Sequence, residues 1–99
     1  MDMKEIIERA RAMQEKAAEL QRAMARIEVE GQSGGGLVRA TLSGNGALKR
    51  VAVDPSLLVP SEREILEDLI VAAHADAKAK LEQRAAEEMK QLAGSLGLG

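Results

Sequence analysis

The sequence contains no phenylalanine, tryptophan or tyrosine. Without aromatic faces it cannot provide the stacking platforms by which RNA-recognition motifs and single-strand-binding folds hold unpaired bases. Its core must be built from Leu, Ile, Val, Ala and Met, which is lean for a chain of 99 residues. Cysteine is absent as well, which excludes disulfides, thiolate metal sites and cysteine nucleophiles and is compatible with a reducing compartment. One histidine, His74, cannot form a multi-histidine metal site within a single chain. The apolar runs are only a few residues long, so no membrane span is expected. Met1-Asp2-Met3-Lys4-Glu5 carries acids where a signal peptide would be basic. These absences point to a small soluble cytoplasmic protein, read as one domain over residues 1–99; no cofactor, metal, membrane partner or small-molecule substrate is expected.

What is present is enough to fold: 45% of residues are hydrophobic and 30% charged, outside the composition of disordered chains. Residues 1–30 hold six basic and seven acidic side chains, residues 31–60 three and one, and residues 61–99 five and eight. A protein that grips phosphate backbones by bulk charge would be basic, and this chain has a net charge of −2.

The apolar residues Ile6, Ala10, Met13, Ala17, Leu20, Met24 and Ile27 recur at alternating spacings of four and three, the seam of a coiled coil or of a long packed helix. No Gly or Pro interrupts residues 1–30, and a helix is expected over about 2–27. Glu5 and Arg9, four apart with the acid first, are expected to pair on its surface. Strands follow over about 28–32, 37–43 and 47–54. In them Val38, Ala40 and Leu42 share one face with Val51 and Val53, while Arg39, Thr41 and Arg50 take the other. Gly31 and the run Ser33–Gly36 read as a turn, and Gly44-Asn45-Gly46 reads as a hairpin in which Asn and Gly tolerate positive φ. Pro55 ends the last strand. Ser61-Glu62-Arg63-Glu64 has capping-box spacing and opens a second helix over about 61–93, with Gly94 ending it and a frayed tail over 94–99.

This is an α+β chain: long helix, three-stranded antiparallel sheet, long helix. A 26-residue helix reaches roughly 39 Å and a six-residue strand about 20 Å, so half of each helix must overhang the sheet. An overhanging seam needs a neighbour, and three strands leave edges and a narrow core. The expectation is a homodimer in which sheets associate and helix pairs project as arms. Met13, Leu20, Val38, Leu42, Val51 and Val53 are candidate core or dimer contacts.

The segments Gly31-Gln32-Ser33-Gly34-Gly35-Gly36-Leu37-Val38-Arg39-Ala40-Thr41-Leu42-Ser43-Gly44, Arg50-Val51-Ala52-Val53-Asp54-Pro55-Ser56-Leu57-Leu58 and Glu67-Asp68-Leu69-Ile70-Val71-Ala72-Ala73 occur in an order and at separations that resemble the YbaB/EbfC family of bacterial nucleoid-associated proteins. The likeness extends over nearly the whole chain. It implies a tweezer-shaped homodimer that binds duplex DNA with weak sequence preference. It also implies residence in the bacterial cytoplasm at the nucleoid, with roles in gene regulation or recombinational repair.

The side chains themselves offer little catalytic chemistry. Ser33–Gly36 enters a strand and lacks the lysine and following helix of a Walker loop, so it reads as a plain strand connection. His74 and Asp76, two apart on a helix, do not face each other. Asp54 before Pro55 suits a turn. The acids Glu62, Glu64, Glu67 and Asp68 suit the positive end of the second helix dipole. No enzyme activity is expected. The basic residues carry the sharper reading: Arg9 and Lys16 share a heptad g position, with Arg22 and Arg26 nearer the sheet. On the second helix Lys78, Lys80, Arg84 and Lys90 make residues 77–90 net +1, against −4 for residues 61–76. Exposed charges act mainly within a Debye length of about 8 Å, so this local sign outweighs the total. These eight residues are the candidate DNA contacts, to phosphates rather than base edges. The alternative is a coiled-coil homodimeric module whose arms grip a protein partner.

Overall fold

The structure, a computed structural model, describes residues 2–95 and 97. Helix α1 spans Met3–Arg26, strand β1 Glu28–Ser33, β2 Val38–Ser43, β3 Leu48–Val53, and helix α2 Arg63–Ser95. The three strands form one antiparallel sheet in the order β1-β2-β3, with Gly31 opposite Ala40 and Ala40 opposite Val51. The expected α+β order is therefore present.

α1 starts at Asp2, whose carboxylate accepts from the Lys4 N–H at 3.3 Å. It ends where Ile27 turns extended and donates its N–H to the Met24 carbonyl. The hairpin holds this end: the Gly44 N–H lies 3.0 Å from both the Met24 and Ile27 carbonyl oxygens. A side chain at Gly44 would run into the Met24 carbonyl, so glycine is required there for closeness rather than for φ. Positive φ in the hairpin falls on Gly46 alone (86°), and Asn45 does not use it. The loop is thus of the three-residue kind, with a register shift in the ladder beside it.

α2 lies across β1 and β2. Gly31 is inside β1, not in a turn, because α2 occupies the space a side chain would need: a Cβ there would overlap the backbone of Ala73 and Ala77. Ala73 and Ala77 are fully buried, one turn apart, and with Gly31 they let helix and strand meet backbone to backbone. The Ser33 hydroxyl extends this contact by donating to the Leu69 carbonyl at 2.6 Å. Val38, Ala40 and Leu57 complete the core, with Leu66, Leu69, Ile70 and Val53 packed at its margin. The β1–β2 connection, Gly34–Gly36, has three successive positive φ values, a path that only glycine follows without strain.

Several expectations are corrected. Ser61 caps nothing: α2 is entered through a 3₁₀ turn, Pro60–Glu62, in which the Glu62 N–H reaches the Val59 carbonyl, and no side-chain cap bond forms. Gly94 does not end α2, since one glycine costs a helix only about 1 kcal/mol. The helix runs to Ser95, and Gly97, at φ 73°, donates its N–H back to the Gly94 carbonyl. Of the expected tail, Leu96, Leu98 and Gly99 lie outside the described residues. Glu5 and Arg9 form no ion pair among the described residues. Thr41 is buried although it lies on the face away from α2, between Glu30 and Arg50 of the flanking strands. Val51 is 39% exposed, because α2 stops short of β3.

The outcome is an elongated chain of 69 × 30 × 16 Å, with a radius of gyration of 19.8 Å where a compact chain of this length has about 13 Å. Its accessible surface is 7668 Å², some 2,000 Å² more than the scaling law for monomers gives.

Two outcomes are expected. Gly31→Val should destabilise the fold by about 3 kcal/mol or more, read as a lowered urea midpoint, since the rigid backbone of α2 cannot yield; an unchanged midpoint would contradict the contact. Glu28 accepts from Arg50 at 2.8 and 3.4 Å, with Lys49 3.9 Å away. The Arg50 hydrogen bonds, and then its charge, lower the Glu28 pKa below the ordinary value of 4.5. The folded state thus holds its proton less tightly than the unfolded chain, and the pair's contribution, present above the unfolded pKa, is lost as pH falls through the folded one. Carboxyl NMR titration should show the Glu28 midpoint rising in Arg50→Gln; identical midpoints would exclude the pairing in solution.

Candidate nucleic-acid interface

The cations of α1 are set by its length and by the sheet's small reach. Only the last turn of the helix is tied to the hairpin, so the rest stands clear, with Ile6, Met13 and Leu20 exposed along its seam. Lys16, Arg22 and Arg26 line a single open groove on α1, around Leu20 and Ala23, with Glu19 the one acid among them. Arg9 lies two turns further out on the same helix. None of these four cations joins an ion pair among the described residues.

The four candidates on α2 are disposed differently. Lys78 and Lys90 are exposed and form no ion pair among the described residues. Arg84 lies 3.7 Å from Glu88 and faces the foot of α1, where Met24, Ile27, Gly44, Leu81 and Ala85 enclose an apolar crevice of about 140 Å³. Lys80 turns toward the sheet: its ammonium is 2.8 Å from the Asp76 carboxylate and 3.5 Å from the Glu30 carbonyl oxygen. The structure therefore groups Lys16, Arg22 and Arg26, sets Arg84 beside the base of α1, and gives Lys80 an internal occupation. Exposed pairs such as Arg84–Glu88 hold at most about 1 kcal/mol and can exchange partners.

Among the core and dimer candidates, Val38 and Leu42 are fully buried and Val53 half-buried, whereas Val51, Met13 and Leu20 lie on the protomer's surface. With Leu48, also exposed, Val51 makes an apolar strip on the strand that α2 leaves bare. Residue-level reading missed two features. Arg39 is exposed on the uncovered face of the sheet beside Gly36, without an ion pair among the described residues. Asp76, passed over because it does not face His74, takes the Gln32 N–H at 2.9 Å as well as Lys80. Its pKa is lowered, first by Lys80 and then by that N–H. The acid-first i, i+4 spacing of Asp76 and Lys80 was the available signal.

Other titratable residues have local roles. Asp54 accepts from the Ser56 N–H at 2.9 Å and closes the turn at Pro55, which lowers its pKa. No group of His, Cys, Asp or Glu among the described residues is arranged to hold a metal ion. No helix among the described residues is long and apolar enough to cross a membrane.

Two long helices that overhang a small sheet and carry unpaired cations can contact an extended anionic surface at several points, without stacking groups or a recognition helix. Comparison with known proteins agrees with that arrangement. The model of the YbaB/EbfC DNA-binding family matches residues 1–96. A nucleoid-associated protein of Phenylobacterium zucineum is 52% identical over 93 residues, covering 94% of this chain and 87% of that one. One from Caulobacter sp. strain K31 is 50% identical over 95 residues, covering 96% and 87%. Among solved structures, an uncharacterized protein from Helicobacter pylori superposes with a TM-score of 0.68 at 26% identity, covering 100% of this chain and 99% of its own. By the family match along its length and by relatives at about half identity, this chain belongs to the YbaB/EbfC DNA-binding family.

Proposed function

We propose that residues 1–99 act as a single unit, two copies of which join and hold duplex DNA through phosphate contacts along their projecting helices, with weak sequence preference. The observation that carries this reading is the open groove along α1 that Lys16, Arg22 and Arg26 line, none of them in an ion pair among the described residues. Arg9, Lys78 and Lys90 extend the cationic track, and Arg84 joins it by exchanging Glu88 for a phosphate. Lys80 contributes least, because its charge is already satisfied at the sheet edge. A second copy doubles every site and covers apolar surface that one chain leaves bare.

The sequence has no aromatics to stack on bases and no helix-turn-helix pattern, so readout is of backbone and groove shape. Residence at the nucleoid in the cytoplasm is supported by the family match and by relatives named nucleoid-associated proteins, and the reading extends to work in gene regulation or recombinational repair. The reading involves no reaction, cofactor or small-molecule substrate.

In gel-shift titrations the logarithm of affinity should fall linearly with the logarithm of salt, by about 0.9 for each phosphate contacted. Replacing Lys16, Arg22 and Arg26 together by Gln should weaken binding to unrelated duplexes alike and flatten that slope. An unchanged slope would remove the groove from the interface. A folded assembly that binds no duplex at low salt would point instead to a protein held between the arms.

A further inference from the structure

The two outer strands of the sheet differ in how their free edges are treated. Since Gly31 pairs inward with Ala40, the outward backbone groups of β1 belong to Glu28, Glu30 and Gln32. Two of these are occupied by α2. The Asp76 carboxylate accepts the Gln32 N–H at 2.9 Å, and the Lys80 ammonium lies 3.5 Å from the Glu30 carbonyl oxygen, at the outer limit of a hydrogen bond. Asp76 and Lys80 are themselves 2.8 Å apart. In a parallel ladder a neighbouring residue donates to the carbonyl before its partner residue and accepts from the N–H after it. For Gly31 these are the Glu30 carbonyl and the Gln32 N–H, so the ion pair presents a donor and an acceptor where an added strand would present them.

We propose that Asp76 and Lys80 serve as a side-chain surrogate for a strand, closing the β1 edge, so that a second copy of this chain can join the sheet only at β3. The missing side chain at Gly31 makes this possible, because it lets α2 approach closely enough for a short aspartate to reach the edge. Glu30, in no ion pair among the described residues, adds a charge on the same strand. At β3, by contrast, no other element hydrogen-bonds the outer backbone among the described residues, and Leu48 and Val51 are exposed beside it. The protomer's surface excess of about 2,000 Å² is of the size that permanent interfaces bury. One closed edge and one open edge make a two-copy assembly that terminates, where two open edges would propagate. The role given to β3 rests on the two-copy reading above; the closure of β1 does not.

Amide exchange and sedimentation velocity test this together. In the unaltered protein the Gln32 amide should exchange about tenfold more slowly than the Glu30 amide, which points outward without a partner among the described residues. In the double variant Asp76→Ala/Lys80→Ala the difference should vanish, and species larger than the normal assembly should grow with concentration. The swap Asp76→Lys/Lys80→Asp keeps an ion pair but sets an ammonium against an N–H and a carboxylate against a carbonyl, so it should behave like the double alanine variant. A swap with normal Gln32 protection and normal size would reduce the pair to a simple surface salt bridge and overturn the proposal. Should the variants fail to fold, equal exchange of Gln32 and Glu30 in the unaltered protein would overturn it equally. An unaltered protein that sediments as one chain would instead remove the role of β3 and leave the exchange comparison to decide the β1 edge.

Discussion

Helix α2 meets strand β1 with no side chain between them at Gly31, and the placement of everything else depends on that contact. A larger residue would lift the helix off the sheet, whereas Gly31 against Ala73 and Ala77 lets it settle on β1 and β2. Close approach costs volume: small residues bury little apolar area, and among the described residues the buried hydrophobic positions are Val38, Ala40, Leu42, Leu57, Ala73 and Ala77. It also fixes reach, since a helix seated over β1 and β2 cannot cover β3. The protomer therefore combines a thin core with a bare strand and two helices longer than the sheet that anchors them.

That geometry explains how an acidic chain can serve a polyanion. Charges held on one compact surface would blend toward the net value of −2. Spread over a body 69 Å long, they are separated by several Debye lengths, and each neighbourhood acts by its own sign. The acids at the start of α2 lie beside the sheet's core, while Arg9, Lys16, Arg22 and Arg26, in no ion pair among the described residues, stand on the projecting helix. Two of the ion pairs, Glu28 with Arg50 and Asp76 with Lys80, fasten the sheet's outer face and its β1 edge.

The fold was largely legible because its elements carry strong local signals. The unbroken four-three spacing from Ile6 to Ile27, the alternation Val38-Ala40-Leu42 and the stop at Pro55 each have one structural meaning. What escaped was settled by tertiary contact. Gly31 looks like a turn residue until a helix lies on it, and Ser61 has capping-box spacing that Pro60 overrides with a 3₁₀ turn. Thr41 alternates onto the outer face yet is buried between Glu30 and Arg50 of the neighbouring strands. Val51 has the pattern of a core residue, but its cover would have to come from outside the chain. For the candidate interface, sequence supplied the cations but not their grouping. Lys80 resembles Lys78 in sequence, and only the fold shows that it turns to the sheet edge.

The proposed function requires a second copy of the chain to complete the first. Thermal unfolding of the unaltered protein over a hundredfold range of concentration tests it most directly, because a partner that binds only the folded chain raises the midpoint by mass action. Two-copy assembly requires a midpoint that climbs with concentration. A midpoint that stays constant, in a protein whose mass in solution is that of one 10.6 kDa chain, would contradict it.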